Sequence, residues 1–279
     1  MPLDIKQILY NLPEVKKPVE KRLSFNTKLK WTLIILAGFF VLSNITLYGL
    51  SNNALERFEF LQVIFAADFG SIISLGIGPI VMASIILQLL VGSGILNIDT
   101  KTEEGKRYFQ GLQRVGVIFF IVFESLVYVL MGGLQAAPGF TAILIFQLIL
   151  GGFAIVLMDE VTQKWGFGSG VSLFIVAGVA RGLFTALFQF IGPSGENCIT
   201  DFTNTACSGK ILIILQSITK GSPVSELLAA IAPIIITALI FLAVVWAQAL
   251  KIEIPLSYDR LRGYTVKWPL AFFYASVIP

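Results

Sequence analysis

The groups in this 279-residue chain that could do chemistry are few, and they exclude more than they allow. With no His anywhere, Ser-His and Cys-His nucleophile systems and His-ligated metals are ruled out. Asp159 and Glu160 are adjacent carboxylates at the end of an apolar run, where a solvated pair is the expectation rather than an acid-base couple. "GFGSG" (166–170) is no phosphate cradle, because no Lys-Ser/Thr follows it and no strand precedes it. Glu124 and Arg181 fall inside apolar stretches, where an ionisable group marks either a transport site or a structural or interfacial partner. What recurs is apolar. Ile77 with Val81, and Val171 with Ile175, are branched pairs four residues apart on one helix face. Each follows a glycine-rich opening: Gly76, Gly78 and Pro79 before the first, and Gly166, Gly168 and Gly170 before the second. Close helix packing explains the glycines. It does not explain why breakers and branched pairs recur together.

The elements that must carry these pairs are membrane spans. Hydrophobic residues make up 56% of the chain and charged ones 13%, with mean hydropathy +0.84, too little polar surface to coat a water-soluble globule. Six stretches are long enough to cross a bilayer: 31–50, 70–94, 115–134, 140–158, 168–191 and 228–250. A seventh begins at Trp268. The first, with its basic flank, reads as a retained anchor rather than a cleaved leader. With a cytoplasmic N-terminus, 16 of the 20 Lys and Arg fall in inside segments, which sets the expected orientation. The net charge of +3 is then a topology signal and not a nucleic-acid footprint.

Residues 2–18 read as an amphipathic segment lying on the membrane, and 54–69 as a re-entrant helix too short to cross. Pro79 inside an apolar run frees backbone groups that lipid cannot satisfy, so that end either packs among helices as a kink or lines a cavity. Cys198 and Cys207 share the expected outside loop, where a disulfide is favoured over two free thiols.

One stretch carries a resemblance. "GSIISLGIGPIVMASIILQLLVGSGIL" (70–96) resembles the second transmembrane segment of the SecY family of protein-conducting channels. Further stretches resemble other parts of the family, in order along the chain and with wording closest to the archaeal branch: "NLPEVKKPVEKRLSFNTKLKWT" at the N-terminus, "FQGLQR" before the third span, "MDEVTQKWGFGSGVSLFIVAGV" around the fourth and fifth, "IAPIIITALIFLAVVWAQALKIEIPLSYDRLRG" through the sixth and "FFYASVIP" at the start of the seventh. The resemblance implies an all-α polytopic helical bundle, a clamshell of two pseudo-symmetric halves with the second incomplete here. Its expected parts are a cytoplasmic segment (1–24), a first half of five spans (25–191) with a plug at about 55–69, and an extracytoplasmic loop (192–223). The start of the second half (224–279) would hold the sixth span, a cytoplasmic loop and the beginning of the seventh.

By the same resemblance, Ile77, Val81, Val171 and Ile175 contribute to a pore ring, and Glu59, Leu61, Ile64, Phe65 and Asp68 belong to the plug. Arg260 and Arg262 would dock the ribosome. The implied function is passage of unfolded polypeptides across the cell membrane and of membrane segments sideways into lipid, with no enzymatic activity, cofactor or metal. Implied partners are a SecE-like subunit, a small third (beta-type) subunit, the ribosome, signal peptides and nascent chains, and membrane lipid. A secondary transporter of a small solute is the competing reading. A ring of Ile and Val suits a pore for every sequence, since it offers a passing chain no sticky group and seals by dewetting. Because "WPLAFFYASVIP" supplies only the start of a span, the chain is expected to be part of a longer protein.

Overall fold

The computed structural model of the chain describes residues 14–19, 23–57, 59–99, 101–192, 196–198, 207–221, 223–256 and 266–271. Helix α1 (Phe25–Asn44) begins where the Ser24 hydroxyl accepts from the Thr27 N–H at 3.3 Å, satisfying a donor that a first helical turn leaves unpaired. Strand β1 (Leu50–Asn53), a 3-10 turn (Ala54–Arg57), the short α2 (Glu59–Ile64) and α3 (Gly78–Gly92) follow. Helix α4 (Glu103–Leu130) is capped by Thr102, and its first-turn Glu103 and Glu104 suit the positive end of the helix dipole. Strand β2 (Leu134–Ala136) pairs antiparallel with β1. The order closes with α5 (Thr141–Trp165), α6 (Gly170–Phe188), α7 (Lys210–Lys220), α8 (Val224–Ala249) and an antiparallel hairpin of β3 (Lys251–Leu256) and β4 (Val266–Ala271).

Among the described residues, five helices, α1, α4, α5, α6 and α8, are long and apolar enough to cross a membrane. The expected second span differs from a continuous helix over 70–94. It is helical only from Gly78, and Pro79 sits in the first turn, where the missing N–H has no intrahelical partner to lose and the fixed φ is already helical. Pro79 therefore opens α3 instead of kinking it. Residues 70–77 form a largely buried run of turns in which most backbone donors have a partner. Ser71 N–H donates to Asp68 O (3.0 Å), Ile72 N–H to Ile45 O (3.0 Å), Gly76 N–H to Ile73 O (2.9 Å) and Ile77 N–H to Phe65 O (2.8 Å). Irregular backbone at such a place is tolerated because protein, not lipid, receives its polar groups. Gly76 is held at φ +55, and a Cβ there would stand 2.2 Å from Phe65 O.

Other boundaries move for a common reason. Helix α4 begins twelve residues before the expected 115, and α5 runs on to Trp165; the added turns carry Arg107, Gln110, Arg114, Glu160 and Lys164, which a hydropathy window scores as loop. In the expected outer loop, Lys210–Lys220 forms an amphipathic helix. The described residues 14–19 of the expected amphipathic segment are not helical. The expected seventh span starts, as far as it is described, as a strand: Trp268 pairs with Ile254 across the hairpin, and residues 272–279 lie outside the described part. The alternation of polar and apolar residues along Lys251–Leu256 supplies the partner that draws Val266–Ala271 into a ladder.

The chain divides into two compact units, one through Gly182 and one from Leu183. In the first, α4 packs against α3 and α5, and α5 also against α1. Its core is built on Ile73, Leu75, Ile121, Leu144, Leu148, Ile155 and Phe174, all essentially inaccessible. Gly151 makes the close approach of α5 to the 70–77 turns possible, because a Cβ there would meet Ile72 O at 1.9 Å. In the second unit α7 packs on α8, and the buried Cys198 and Cys207 are bonded with their Cα atoms 5.4 Å apart. Treatment of the native protein with a maleimide should add no mass at these cysteines until a reductant is supplied. Two adducts without reductant would show free thiols.

Candidate functional site

The two branched pairs stand at helix starts. Ile77 is the residue that caps α3, and Val81 N–H donates to Ile77 O at 3.1 Å, one turn on. Val171 and Ile175 occupy the opening turns of α6. All four belong to one apolar cluster. Ile77 and Val171 are its deep members, 1% and 4% exposed, while Val81 and Ile175 are half-buried. Each deep member has an assigned acceptor for its own backbone N–H: Phe65 O for Ile77 at 2.8 Å, and Asp159 Oδ1 for Val171 at 3.1 Å.

Asp159 departs from the solvated pair expected of it. It is 6% exposed, and its second oxygen accepts from Gln163 Nε2 at 2.8 Å. Glu160 points elsewhere, into an ion-pair cluster. The two carboxylates separate because consecutive residues on a helix are turned about 100° from one another.

The plug candidates leave β1 through the 3-10 turn and α2. Leu61 and Ile64 are exposed, Phe65 is half-buried, and for Glu59 only the backbone is described. The exit from α2 passes through Ala66 at φ +44, a left-handed conformation that costs a non-glycine residue about 1 kcal/mol or more. Bonds on either side hold it there: Ala67 N–H to Gln62 O at 2.9 Å, and Ile77 N–H to Phe65 O. Just beyond, Asp68 forms an ion pair with Arg181 Nη1, and the same nitrogen donates to Ser43 Oγ at 3.1 Å. The in-span cation singled out from sequence is thus engaged by a carboxylate and by α1. Glu124 packs its carboxylate against Gly78, 3.0 Å from where a Cβ would stand. Arg260 and Arg262 lie outside the described residues.

A charged clamp that sequence reasoning missed ties the N-terminal segment to the ends of α4 and α5. Glu14 pairs with Arg114 at 3.1 Å and with Lys164 at 2.5 Å, and Arg114 Nε lies 3.2 Å from Glu160. Val15 N–H donates to Glu160 Oε2 (3.0 Å), and Trp165 Nε1–H donates to Lys16 O (3.0 Å). Only the Glu160–Lys164 spacing, four residues along a helix, was legible beforehand. Hydrogen bonds from Arg114 and then Lys164 lower the Glu14 carboxyl from an ordinary 4.5 to about 2. A lowered pKa contributes stability above the unfolded value that is lost as pH falls through the folded one, so the clamp should weaken between pH 4.5 and about 2. Because Glu14 is 43% exposed, solvent screening limits the contribution to about 0.5–1 kcal/mol. Trp165 fluorescence should report the release in that window, and Glu14→Gln should abolish the transition; an unchanged transition would remove Glu14 as its cause.

Residues 71–279 match the SecY family, and residues 39–70 match the plug domain of Sec61p. The chain belongs to the SecY family. Protein translocase subunit SecY of Methanothermobacter thermautotrophicus is 45% identical over 274 residues, 96% of this chain and 58% of that protein. A solved structure described as that of a protein conducting channel superposes with a TM-score of 0.74 at 37% identity, over 95% of this chain and 57% of the other. Sec61 in the canine ribosome-channel complex from the endoplasmic reticulum gives 0.72 at 37% identity, again over 95% and 57%. The chain spans about three-fifths of the length of the curated SecY relatives it matches. All four ring candidates fall within the SecY match, and Glu59, Leu61, Ile64, Phe65 and Asp68 fall within the plug-domain match.

Proposed function

We propose that this chain forms the first half, and the opening of the second, of a protein-conducting channel that passes unfolded polypeptides across the cell membrane and admits membrane segments to lipid. The observation that carries the reading is the SecY match of residues 71–279, adjoining a plug-domain match that ends at residue 70, where the structure bonds one segment to the other. Ile77, Val81, Val171 and Ile175 supply one wall of the constriction, and Glu59 to Phe69 the plug. The N-terminus is cytoplasmic, in keeping with 16 of 20 basic residues on that side. The partners are a SecE-like subunit, a small third subunit, signal peptides and nascent chains, membrane lipid, and a ribosome docked through Arg260 and Arg262.

The chain's full-length product, co-purified with a single-span SecE-like subunit and placed in vesicles, should carry a signal-peptide-bearing polypeptide into the lumen. No subunit recovered and no polypeptide moved, together with thermal stabilisation by a small solute, would replace the channel by the transporter.

A further inference from the structure

We propose that Asp159 is a positioning residue for the constriction: from α5 it sets where α6 begins, and through that the place of Val171 and Ile175. The inference rests on the pore reading above, and its geometry is independent of it. The Asp159 carboxylate accepts from backbone N–H groups at the start of α6: Val171, a ring candidate, donates to Oδ1 at 3.1 Å, and Gly170 donates beside it. The first turn of a helix has free N–H groups, and a buried carboxylate is a strong acceptor for one of them, favoured further by the helix dipole. The carboxylate is in turn oriented by Gln163 on its own helix.

Contact at this point is closer than any side chain allows. A Cβ on Gly170 would lie 2.6 Å from Asp159 Oδ1 and 2.7 Å from its Cα, so the start of α6 rests directly on the α5 backbone. This gives the third glycine of "GFGSG" its reason. The base it rests on is rigid, because Leu144, Leu148 and Ile155 of the same helix are inaccessible and Gly151 and Gly152 press it onto the 70–77 turns and Ile121. A shift of α6 by one hydrogen bond would move both ring candidates together.

The test uses the intact translocon in vesicles with Asp159→Ala and Asp159→Asn. Alanine removes the acceptor. Asparagine keeps an oxygen for Val171 N–H, and Gln163 can turn its amide over to accept from the new NH2. Two readouts are taken: resting ion conductance, and the spin-label distance between Met82 on α3 and Val176 on α6, both exposed. Alanine should shift or broaden the distance and raise conductance about tenfold, while asparagine should restore both to within about twofold of the parent. Asp159→Leu fills about the same space without an acceptor and should behave like alanine, and rescue by leucine would show lost packing and overturn the proposal. An unshifted distance in the alanine variant, or asparagine indistinguishable from alanine, overturns the proposal. A shifted distance, rescued by asparagine, with conductance unchanged upholds Asp159 as the residue that places α6 and overturns the pore reading instead.

Discussion

Asparagine at both Val81 and Ile175 should raise the resting ion conductance of the reconstituted channel by at least about tenfold. These are the half-buried members of the two pairs, and they can change polarity without emptying the core. Ile77 and Val171 are unsuited to the test. At 1% and 4% exposure, truncating either removes packing worth about 2–4 kcal/mol, and a leak would then be confounded with loss of fold. An apolar constriction blocks ions because water withdraws from it. Two amides facing the same gap supply hydrogen bonds that let water back in, and hydrated ions follow. Asparagine at the exposed neighbours Met82 and Val176 should leave conductance at the parental level, since neither side chain belongs to the apolar cluster. Equal conductance in the two double variants, measured in planar bilayers, would remove Val81 and Ile175 from the constriction.

Neutralising Asp68 should free the plug segment. Asp68→Asn removes the Asp68–Arg181 ion pair, whose side chains are 29% and 40% exposed. The loss should be about 1–2 kcal/mol, between an exposed ion pair and a fully buried one. That corresponds to roughly a 5- to 30-fold rise in the detached population. A cysteine placed at Ala66, 2% exposed, reports it: thiol labelling should accelerate by that factor in Asp68→Asn. The exchange of charges, Asp68→Arg with Arg181→Asp, should restore slow labelling, which simple disruption of packing would not. Labelling of Asp68→Asn at the parental rate would mean that the Phe65–Ile77 backbone bond and the buried Phe69 hold the segment without help from the ion pair.

Hydropathy and composition alone determined that this is a helical, many-span membrane protein, because a bilayer permits only backbone that satisfies itself and the apolar runs have the length to do so. Local wording, above all residues 70–96 and 158–179, determined the SecY family. The branched pairs and their glycine openings were legible because a spacing of four is a property of one helix. What the glycines do was not. Gly76 and Gly170 answer to Phe65 O and Asp159, eleven residues away in each case, and a close approach of two backbones has no signature in either segment.

The tertiary structure decided the rest by supplying partners. Residues 70–77 and Gly78–Gly92 share one apolar composition, yet the first is a run of turns, because Ile45 O, Asp68 O and Phe65 O stand ready to take its N–H groups. Asp159 and Glu160 are identical in class and adjacent, yet one is sealed against α6 and the other joins Glu14, Arg114 and Lys164. Arg181 was ambiguous until Asp68, 113 residues earlier, was seen beside it. Charge and hydrogen-bonding capacity are carried by a residue; whether they are buried, paired or solvated depends on which distant segment packs against it, and only the folded chain settles that.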